Sequence, residues 1–255
     1  MIARISTPAG KKRFRRACRG VPCLETLLPM EQALFGRSQP GRFYAGPSLA
    51  IDIGGPDVLA AGGANPEELA SFLGFCGCRS LITDGPPPAR WSPAAPVYCF
   101  ALAAGNRLPL PPAEESLWAR LRLDTEPPAG ALARFLYPDQ TQQREDYYSA
   151  LCTKRNRGLA RVWALMDGET IAATVGAYAI WGGKAYLACG CAAESLRGRG
   201  VGGRLIASLA NTLAAEGLDV SLMCRPERVR FYQRLGMEQI GILTRCQPNQ
   251  IGKEN

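Results

Sequence analysis

Apolar residues follow two different spacings along this chain, and the two spacings predict a mixture of strands and helices. Short apolar runs bounded by glycine or proline predict strands, whereas apolar positions that recur every three or four residues predict amphipathic helices. The clearest strand signals are a hairpin over 162–178, which turns at Asp167–Gly168, and a strand over 184–192. The segment 200–216 has the helical spacing, with apolar residues at 201, 205, 206, 209, 210 and 213.

The remaining pattern completes a mixed α/β fold. In the first half we expect strands at 1–7, 79–83 and 97–103, helices at 11–19, 23–36 and 65–75, and a hairpin over 49–61. In the second half we expect strands at 117–123, 220–224 and 239–243, and helices at 128–136, 143–155 and 228–235. The sharpest helix start is Asn65–Pro66 followed by two glutamates, because Asn caps helices, proline suits the first helical position and acids suit the first turn.

A proline-rich segment, Pro109–Pro112, separates the two halves. Closely spaced prolines form stiff linkers, and 255 residues allow one large domain or two modest ones. We therefore expect two domains, over 1–108 and 113–255.

The segment Arg197–Gly203, with the sequence RGRGVGG, joins a predicted strand to a predicted helix. Unpaired backbone N–H groups and the positive end of the helix dipole make a helix N-terminus an anion site. Glycines let a phosphate approach the main chain, because no Cβ stands in the way. The alternative is a tight turn without a ligand, but this density of glycine and arginine exceeds ordinary turn chemistry. The loop therefore predicts a phosphorylated small molecule near residue 200.

Read as Gly198-x-Gly200-x-x-Gly203, the loop also satisfies the dinucleotide-binding fingerprint, with Asp219 downstream as the acidic residue. The context disagrees with that interpretation. Residues 192–197 stand between the strand and the glycines, and Asp219 precedes the next strand rather than closing it. Too little chain follows Gly203 to complete a dinucleotide domain, so we set this interpretation aside.

In the register Arg197-x-x-Gly200-x-Gly202, the loop is followed further along the chain by Phe231–Met237, with the sequence FYQRLGM. In this order the two segments resemble the GNAT family of acyl-CoA-dependent N-acyltransferases. The first resembles the family's pyrophosphate-binding motif, and the second its short tyrosine-bearing helix before the last strands. The resemblance covers about residues 113–255. It implies an α/β (α+β) fold in which a mostly antiparallel sheet is flanked by helices.

The element order of residues 1–108 resembles half of the same fold, without a glycine-rich phosphate loop. Tandem members of the family pair a degenerate amino-terminal half with an active carboxy-terminal half, and this chain resembles them. A separate accessory domain is the alternative.

The resemblance implies the roles of particular residues. The main chain of Gly190, Cys191 and Ala192 would contact the amide arm of acetyl-CoA. Tyr232 matches the family tyrosine that donates to the departing thiolate, although a tyrosine beside Phe231 could also simply pack in the core. The pyrophosphate would be held by Arg197, Gly198, Arg199, Gly200, Val201, Gly202 and Gly203.

Other side chains near the motifs carry weaker expectations. Arg199 and Arg204 could add charge-assisted bonds to phosphate oxygens or could belong to a solvated helix start. Arg225 replaces an asparagine common in the family seven residues before Tyr232, and with Arg228 and Arg230 it forms a basic patch suited to the 3′-phosphate. Aromatic residues that could line an acceptor pocket or pack in the core are Tyr147, Tyr148, Tyr178 and Trp181.

The absence of histidine limits the mechanism. No Ser–His or Cys–His nucleophile exists, so a carboxylate, a tyrosine or a water chain must take up protons. Glu194 is the carboxylate nearest the loop, yet a surface role fits it better, and we assign no general base. Ten scattered cysteines without Cys-x-x-Cys spacing predict reduced core thiols and no metal site.

The net charge of +8 includes a basic run at 11–19. That run favours the solvated face of a helix over a nucleic-acid surface, because no aromatic stacking set accompanies it. No apolar run spans a bilayer and the first residues do not form a secretory signal, so we expect a cytoplasmic protein that does not contact a membrane.

Together these observations predict a bacterial-type enzyme that transfers an acetyl or small acyl group from acetyl-CoA to an amine by direct attack. The acceptor, a small-molecule amine or a peptide, is left open, as is a homodimer. A non-catalytic CoA-binding or regulatory module is the alternative.

Overall fold

The structure is a computed structural model, and it describes residues 1–249. The chain forms two compact units, neither of which is one continuous segment. Unit 1 contains residues 1–99, Met223–Val229 and the described residues from Ile240 onward, whereas unit 2 contains Phe100–Leu222 and Arg230–Gln239. The proline-rich segment 109–112 lies inside unit 2.

Unit 1 combines a sheet with three helices. Its elements in chain order are β1 (Ala3–Arg4), α1 (Pro8–Cys18), α2 (Leu24–Phe35), β2 (Phe43–Ala45), β3 (Leu49–Asp52), β4 (Val58–Gly62), α3 (Pro66–Phe75) and β5 (Leu81–Thr83). The next strand, β6 (Trp91–Leu102), begins in unit 1 and ends in unit 2. The last strand of the chain, β12 (Glu238–Pro248), pairs with β5.

The strands of unit 1 lie in the order β1-β2-β3-β4-β5-β12, and only β4 and β5 are parallel. The predicted hairpin over 49–61 is confirmed, with Ala50 opposite Ala61. A parallel pair needs a crossover connection, and α3 provides it. The core under this sheet includes the fully buried Leu49, Ile51 and Leu73.

Arg42 is a buried cation that serves the packing of unit 1. Its Nε and Nη2 donate to the two carboxylate oxygens of Asp52 at 2.6 and 2.7 Å, and Nη2 also donates to Glu31 at 2.9 Å. Burial acts to lower the pKa of Arg42, but Asp52 and Glu31 outweigh it and raise that pKa. The guanidinium also lies over the Phe35 and Phe43 rings. This charge is paired within the unit by two carboxylates.

Unit 2 repeats the same kind of construction. Its elements in chain order are α4 (Glu115–Arg120), β7 (Arg122–Asp124), α5 (Ala129–Leu136), α6 (Thr141–Arg155), β8 (Arg161–Asp167), β9 (Thr170–Trp181), β10 (Lys184–Ala192), α7 (Val201–Ala215), β11 (Asp219–Cys224) and α8 (Val229–Leu235). The strands lie in the order β7-β8-β9-β10-β11, and only β10 and β11 are parallel. The mixed α/β class with a mostly antiparallel sheet and flanking helices is confirmed.

The expectation of a strand over 117–123 is wrong for most of its length. Residues 115–120 form α4, and only 122–124 form a strand. Leu117 and Leu121, which are four residues apart, are both buried, so their spacing is helical. Glutamate, leucine, alanine and arginine, which supply most of this segment, are also good helix formers.

The two units share one order of elements. Unit 1 runs β1-α1-α2-β2-β3-β4-α3-β5, and unit 2 runs β7-α5-α6-β8-β9-β10-α7-β11 after α4. In both units a parallel pair, β4–β5 or β10–β11, flanks a crossover helix, α3 or α7. The N-termini of α3 and α7 therefore occupy equivalent places in the element order of the two units.

Replacing Asn65 by alanine is expected to lower the free energy of unfolding by about 1 kcal/mol, the usual cost of losing an N-cap. Asn65 Oδ1 accepts the N–H groups of Glu67 at 2.9 Å and Glu68 at 3.1 Å, as the sequence predicts. Urea denaturation measures the change, and alanine at the exposed loop residue Asn106 is the matched control. An unchanged unfolding midpoint for Asn65→Ala would contradict the assigned cap.

Candidate functional site

The predicted phosphate loop, Arg197–Gly203, connects β10 to α7. Gly198 and Gly200 have φ angles of +77° and +78°, in the left-handed region that favours glycine. Gly200 is the N-cap of α7, and no side chain within residues 1–249 caps this helix. The first backbone bond into α7 runs from Arg204 N to Gly200 O at 3.1 Å. The N–H groups of the first helical turn therefore have no acceptor within the helix.

Three glycines of the loop differ in how strongly the protein itself requires them. A Cβ at Gly200 would lie 2.2 Å from the carbonyl oxygen of Pro112, so only glycine fits. A Cβ at Gly203 would lie 3.5 Å from the Phe231 ring, which is ordinary contact. A Cβ at Gly202 would meet no atom within 4 Å, although glycine in a helix costs up to about 1 kcal/mol. No neighbouring atom of the described protein requires glycine at residue 202.

A side chain preceding α4 holds the loop. Glu114 accepts Arg199 Nε at 2.9 Å and Nη2 at 2.6 Å, and its own N–H donates to Arg199 O at 3.4 Å. The hydrogen bond from Arg199 is the main reason why the pKa of the exposed Glu114 carboxyl is lowered. The Arg204 guanidinium lies over the Trp118 ring, 4.6 Å from its centre. Both arginines thus already have partners, and binding of their side chains to phosphate would require these contacts to exchange.

Arg197 and Glu194 lie on the solvent side of the loop. Their side chains are 66% and 91% exposed, and their charged atoms are 3.6 Å apart. An exposed pair at this separation contributes little to stability. Arg197 is therefore available to an anion in solution, and Glu194 has the surface position that the sequence favours.

Strand β10 contains a bulge just before the loop. Its pairing with β9 shifts register between Ala188 and Cys191, which places one extra residue on β10, and Cys189 has a φ of +54°. Within unit 2 the pairs with β11 end at Leu187–Leu222, whereas β10 continues along β9 as far as Ala192. The predicted amide-binding residues 190–192 therefore lie where β10 extends past its parallel partner in that unit.

A buried hydrogen-bonded group lies behind the bulge. The hydroxyls of Tyr147 and Tyr178 are 2.6 Å apart, and the Cys189 side chain packs against the same core cluster. Burial raises the pKa of all three groups, so they are protonated at neutral pH. Both tyrosines pack in the core of unit 2, which agrees with the core interpretation rather than the acceptor-pocket one. Trp181 is half-buried at the end of β9.

Tyr232 lies on α8, which is the second sequence motif. Its half-buried ring is 4.9 Å from the Phe231 ring and 5.7 Å from the Phe100 ring. Because Phe231 also faces Gly203, the two motifs meet within unit 2. The basic residues Arg225, Arg228 and Arg230 are all exposed, and their role at the 3′-phosphate stays a prediction.

The structure also shows a groove that the sequence analysis missed. It is open to solvent, has a volume of about 560 Å³ and lies between α5 and α6. It is lined by Gly130, Ala133, Arg134, Arg144, Glu145 and Tyr148, which we call the α5–α6 groove. Of these residues only Tyr148 was a candidate, because charged residues on two helices give no signal of facing each other until the helices pack.

The equivalent helix start in unit 1 is closed to anions. Asn65 already caps α3, and Pro66 at the first helical position has no N–H to offer. Glu67 and Glu68 add negative charge to the first turn, and Glu68 accepts the Ile2 N–H at 2.5 Å. The two crossover helices therefore differ in whether the first turn offers uncapped N–H groups without nearby negative charge, which is what phosphate binding at a helix start uses.

Two further observations concern other ligands and membranes. Among residues 1–249, no group of three or more histidine, cysteine, aspartate or glutamate side chains is placed to hold a metal ion. No helix in the same part of the chain is both long and apolar enough to cross a bilayer. All ten cysteines are free thiols.

Comparison with known proteins agrees with this geometry. Residues 119–237 match the family model described as "Acetyltransferase (GNAT) family". A comparison with curated protein sequences gives no significant match. Residues 119–237 are therefore a GNAT acetyltransferase domain, and members of this family are acyltransferases.

Solved structures show that the same fold extends beyond the matched residues. A GCN5-related N-acetyltransferase from Sphaerobacter thermophilus has a TM-score of 0.61 at 16% identity, covering 96% of this chain and 94% of its own. One from Kribbella flavida has a TM-score of 0.59 at 17% identity, covering 86% and 93%. A tandem GNAT protein from the clavulanic acid biosynthesis pathway has a TM-score of 0.52 at 12% identity, covering 80% and 77%. At these identities the likeness concerns the fold alone.

Proposed function

We propose that this protein is an N-acetyltransferase that moves an acetyl group from acetyl-CoA to an amine. The observation that carries the proposal is the uncapped start of α7, where Gly202 leaves open space that the protein itself does not need. A pyrophosphate satisfies backbone N–H groups at such a helix end and has its charge stabilised by the dipole. The GNAT family match to residues 119–237 supports the same ligand.

Each predicted site residue has a role in this proposal. The main chain of 198–203 holds the pyrophosphate, with Arg197 free to add its charge. The main chain of Gly190, Cys191 and Ala192 binds the amide arm, because this part of β10 extends past its pairing with β11 in unit 2. Tyr232 donates a hydrogen bond to the sulfur that leaves.

Transfer then proceeds by direct attack. The neutral amine nitrogen attacks the thioester carbonyl carbon, the C–S bond breaks, and the sulfur leaves as a thiolate that accepts a proton. The chain has no histidine, and Tyr147, Tyr178 and Cys189 are protonated, so they do not serve as bases at neutral pH. We assign no general base, and a carboxylate or a water chain is left to take the proton from the amine.

We further propose that residues 1–108 are a degenerate GNAT half. The shared element order of the two units and the capped, acidic start of α3 support this view. Only α7 then binds acetyl-CoA, so calorimetry is expected to show one acetyl-CoA per chain. Two equivalent sites would contradict the degenerate assignment.

Replacing Tyr232 by phenylalanine is expected to lower kcat about tenfold while leaving the KM for acetyl-CoA unchanged. The effect lies below the usual range for acid–base groups, because a thiol has a pKa near 8.5 and its anion leaves readily. Thiol release from acetyl-CoA with a panel of amines measures the rate. Phenylalanine at Tyr44, a half-buried tyrosine on β2 of unit 1, is the control for loss of a hydroxyl.

The same assays test the proposed function against its alternative. If acetyl-CoA binds but no amine in a broad panel is acetylated, the chain is a CoA-binding or regulatory module. If acetyl-CoA does not bind a folded sample, both interpretations fail. A cytoplasmic location and a bacterial-type context belong to this proposal as well.

A further inference from the structure

The α5–α6 groove carries charges and an aromatic ring that the acyl-CoA site does not use. Its volume of about 560 Å³ lies within the range of small-molecule sites, roughly 300–1,000 Å³. Tyr148, whose side chain is 49% exposed, forms part of its apolar surface.

Small residues keep the groove open. A Cβ at Gly130 would lie 3.6 Å from Arg134 Nη1 and 4.0 Å from Tyr148 Cε2. The guanidinium and the ring thus both lie close to the same backbone position. A ligand there would contact a cation with its polar end and an aromatic face with its apolar end.

The charges of the groove match a single carboxylate. Arg144 is oriented by hydrogen bonds from Nη1 to Pro138 O and from Nη2 to Thr141 Oγ1, both at 3.3 Å. With Arg134 and Glu145, the groove holds two positive side chains and one negative, which leaves one net positive charge. Guanidinium groups bind carboxylates through paired hydrogen bonds. Glu145 disfavours a dianionic phosphate and favours an ammonium group.

The helix that forms the groove is also tied to the bulge of β10. Tyr147, next to Tyr148 on α6, hydrogen-bonds Tyr178, and Cys189 of the bulge packs against the same core cluster. Within unit 2, α6, which lines one side of the groove, therefore shares a core cluster with the bulge of the predicted amide-binding strand.

We propose that the α5–α6 groove binds the acceptor, and that the acceptor is an amine that also carries a carboxylate and an apolar side chain. This proposal rests on the proposed function, since it names the class of amine that is acetylated. The two arginines hold the carboxylate, Glu145 attracts the ammonium form, and Tyr148 packs against the apolar side chain.

Matched pairs of probes test the proposal on the full chain. Phenylalanine is compared with phenethylamine, and leucine with 3-methylbutylamine, so that each pair differs only in the carboxylate. Binding is measured by calorimetry without acetyl-CoA, and kcat/KM by thiol release. We expect the carboxylate to improve both by about tenfold, which corresponds to about 1.4 kcal/mol.

In the double variant Arg134→Gln/Arg144→Gln, each amino acid and its decarboxylated amine should have nearly equal affinities and nearly equal kcat/KM values. The affinity for acetyl-CoA should be unchanged. Gln at Arg157, an exposed arginine just after α6, is the control and should keep the preference. Absence of a carboxylate preference in the wild type, a preference that survives the double variant, or no binding of any probe would overturn the proposal.

The two proposals fail in different ways. Acetylation of both members of a pair with equal efficiency removes the groove assignment and leaves the enzyme. Arginine-dependent binding of phenylalanine by a chain that does not bind acetyl-CoA removes the enzyme and keeps the groove.

Discussion

Replacing Gly200 by alanine is expected to abolish detectable acetyl-CoA binding and to lower the free energy of unfolding by about 2 to 5 kcal/mol. The φ of +78° is strained for any residue with a Cβ, and the added atom would lie 2.2 Å from Pro112 O. Relief requires the backbone at the start of α7 to move. The N–H groups that the loop presents to an anion would move with it.

Chemical denaturation and calorimetry with acetyl-CoA measure the two effects together. Gly217→Ala is the matched control, because Gly217 has a φ of +85° but a Cβ there would meet no atom within 4 Å, so it reports backbone strain without a clash. It should lower stability by about 1 kcal/mol and leave the affinity for acetyl-CoA intact. Native affinity in Gly200→Ala would show that the loop does not hold the ligand.

The sequence predicts well those elements that are determined by residues adjacent in the chain. Strand 184–192 has the predicted bounds, and Asn65 caps α3 with the predicted hydrogen bonds. The glycine loop belongs to the same class, because Gly198 and Gly200 adopt the left-handed conformation that glycine suits. Each of these signals depends on a few consecutive residues, so a single sequence is sufficient to detect it.

Contacts between distant residues explain what the sequence analysis missed. Arg199 pairs with Glu114, 85 residues away, which periodicity and motif spacing do not reveal. The proline-rich segment has a linker composition, yet Leu108 is buried and its backbone N–H and C=O pair with the Asn211 side chain at 2.7 and 2.9 Å. The bulge at Cys189 likewise depends on pairing with β9 rather than on a local signal.

The composition of the two units also depends on contacts between residues that are distant in sequence. The described residues from Ile240 onward belong to unit 1, where Arg245 on β12 lies opposite Ile82 on β5. Strand β12 therefore belongs to the same sheet as residues 3–4. The prolines at 109–112 are visible in the composition. No change in composition indicates that the described residues from Ile240 onward belong to unit 1.

Replacing Gly202 by glutamate is expected to change stability and ligand affinity in opposite directions. The open space at residue 202 accepts a side chain, and a helix former with a negative charge suits the first turn of α7, so stability should rise by about 1 kcal/mol. The same carboxylate occupies the place of the pyrophosphate and repels it. The affinity for acetyl-CoA should fall about 100-fold or more, a loss of about 2.7 kcal/mol.

This variant places a carboxylate in the first turn of α7. The first turn of α3, which we describe as closed to anions, likewise contains Glu67 and Glu68. Gly202→Ala separates the causes, because alanine raises helix stability and adds bulk without charge. If charge dominates, the glutamate variant should bind much more weakly than the alanine variant, and added salt should narrow the difference. Thermal unfolding and calorimetry at two salt concentrations provide the measurements. A glutamate variant that binds acetyl-CoA as well as the wild type would mean that the anion lies elsewhere, because a carboxylate cannot share the start of α7 with a pyrophosphate at no cost.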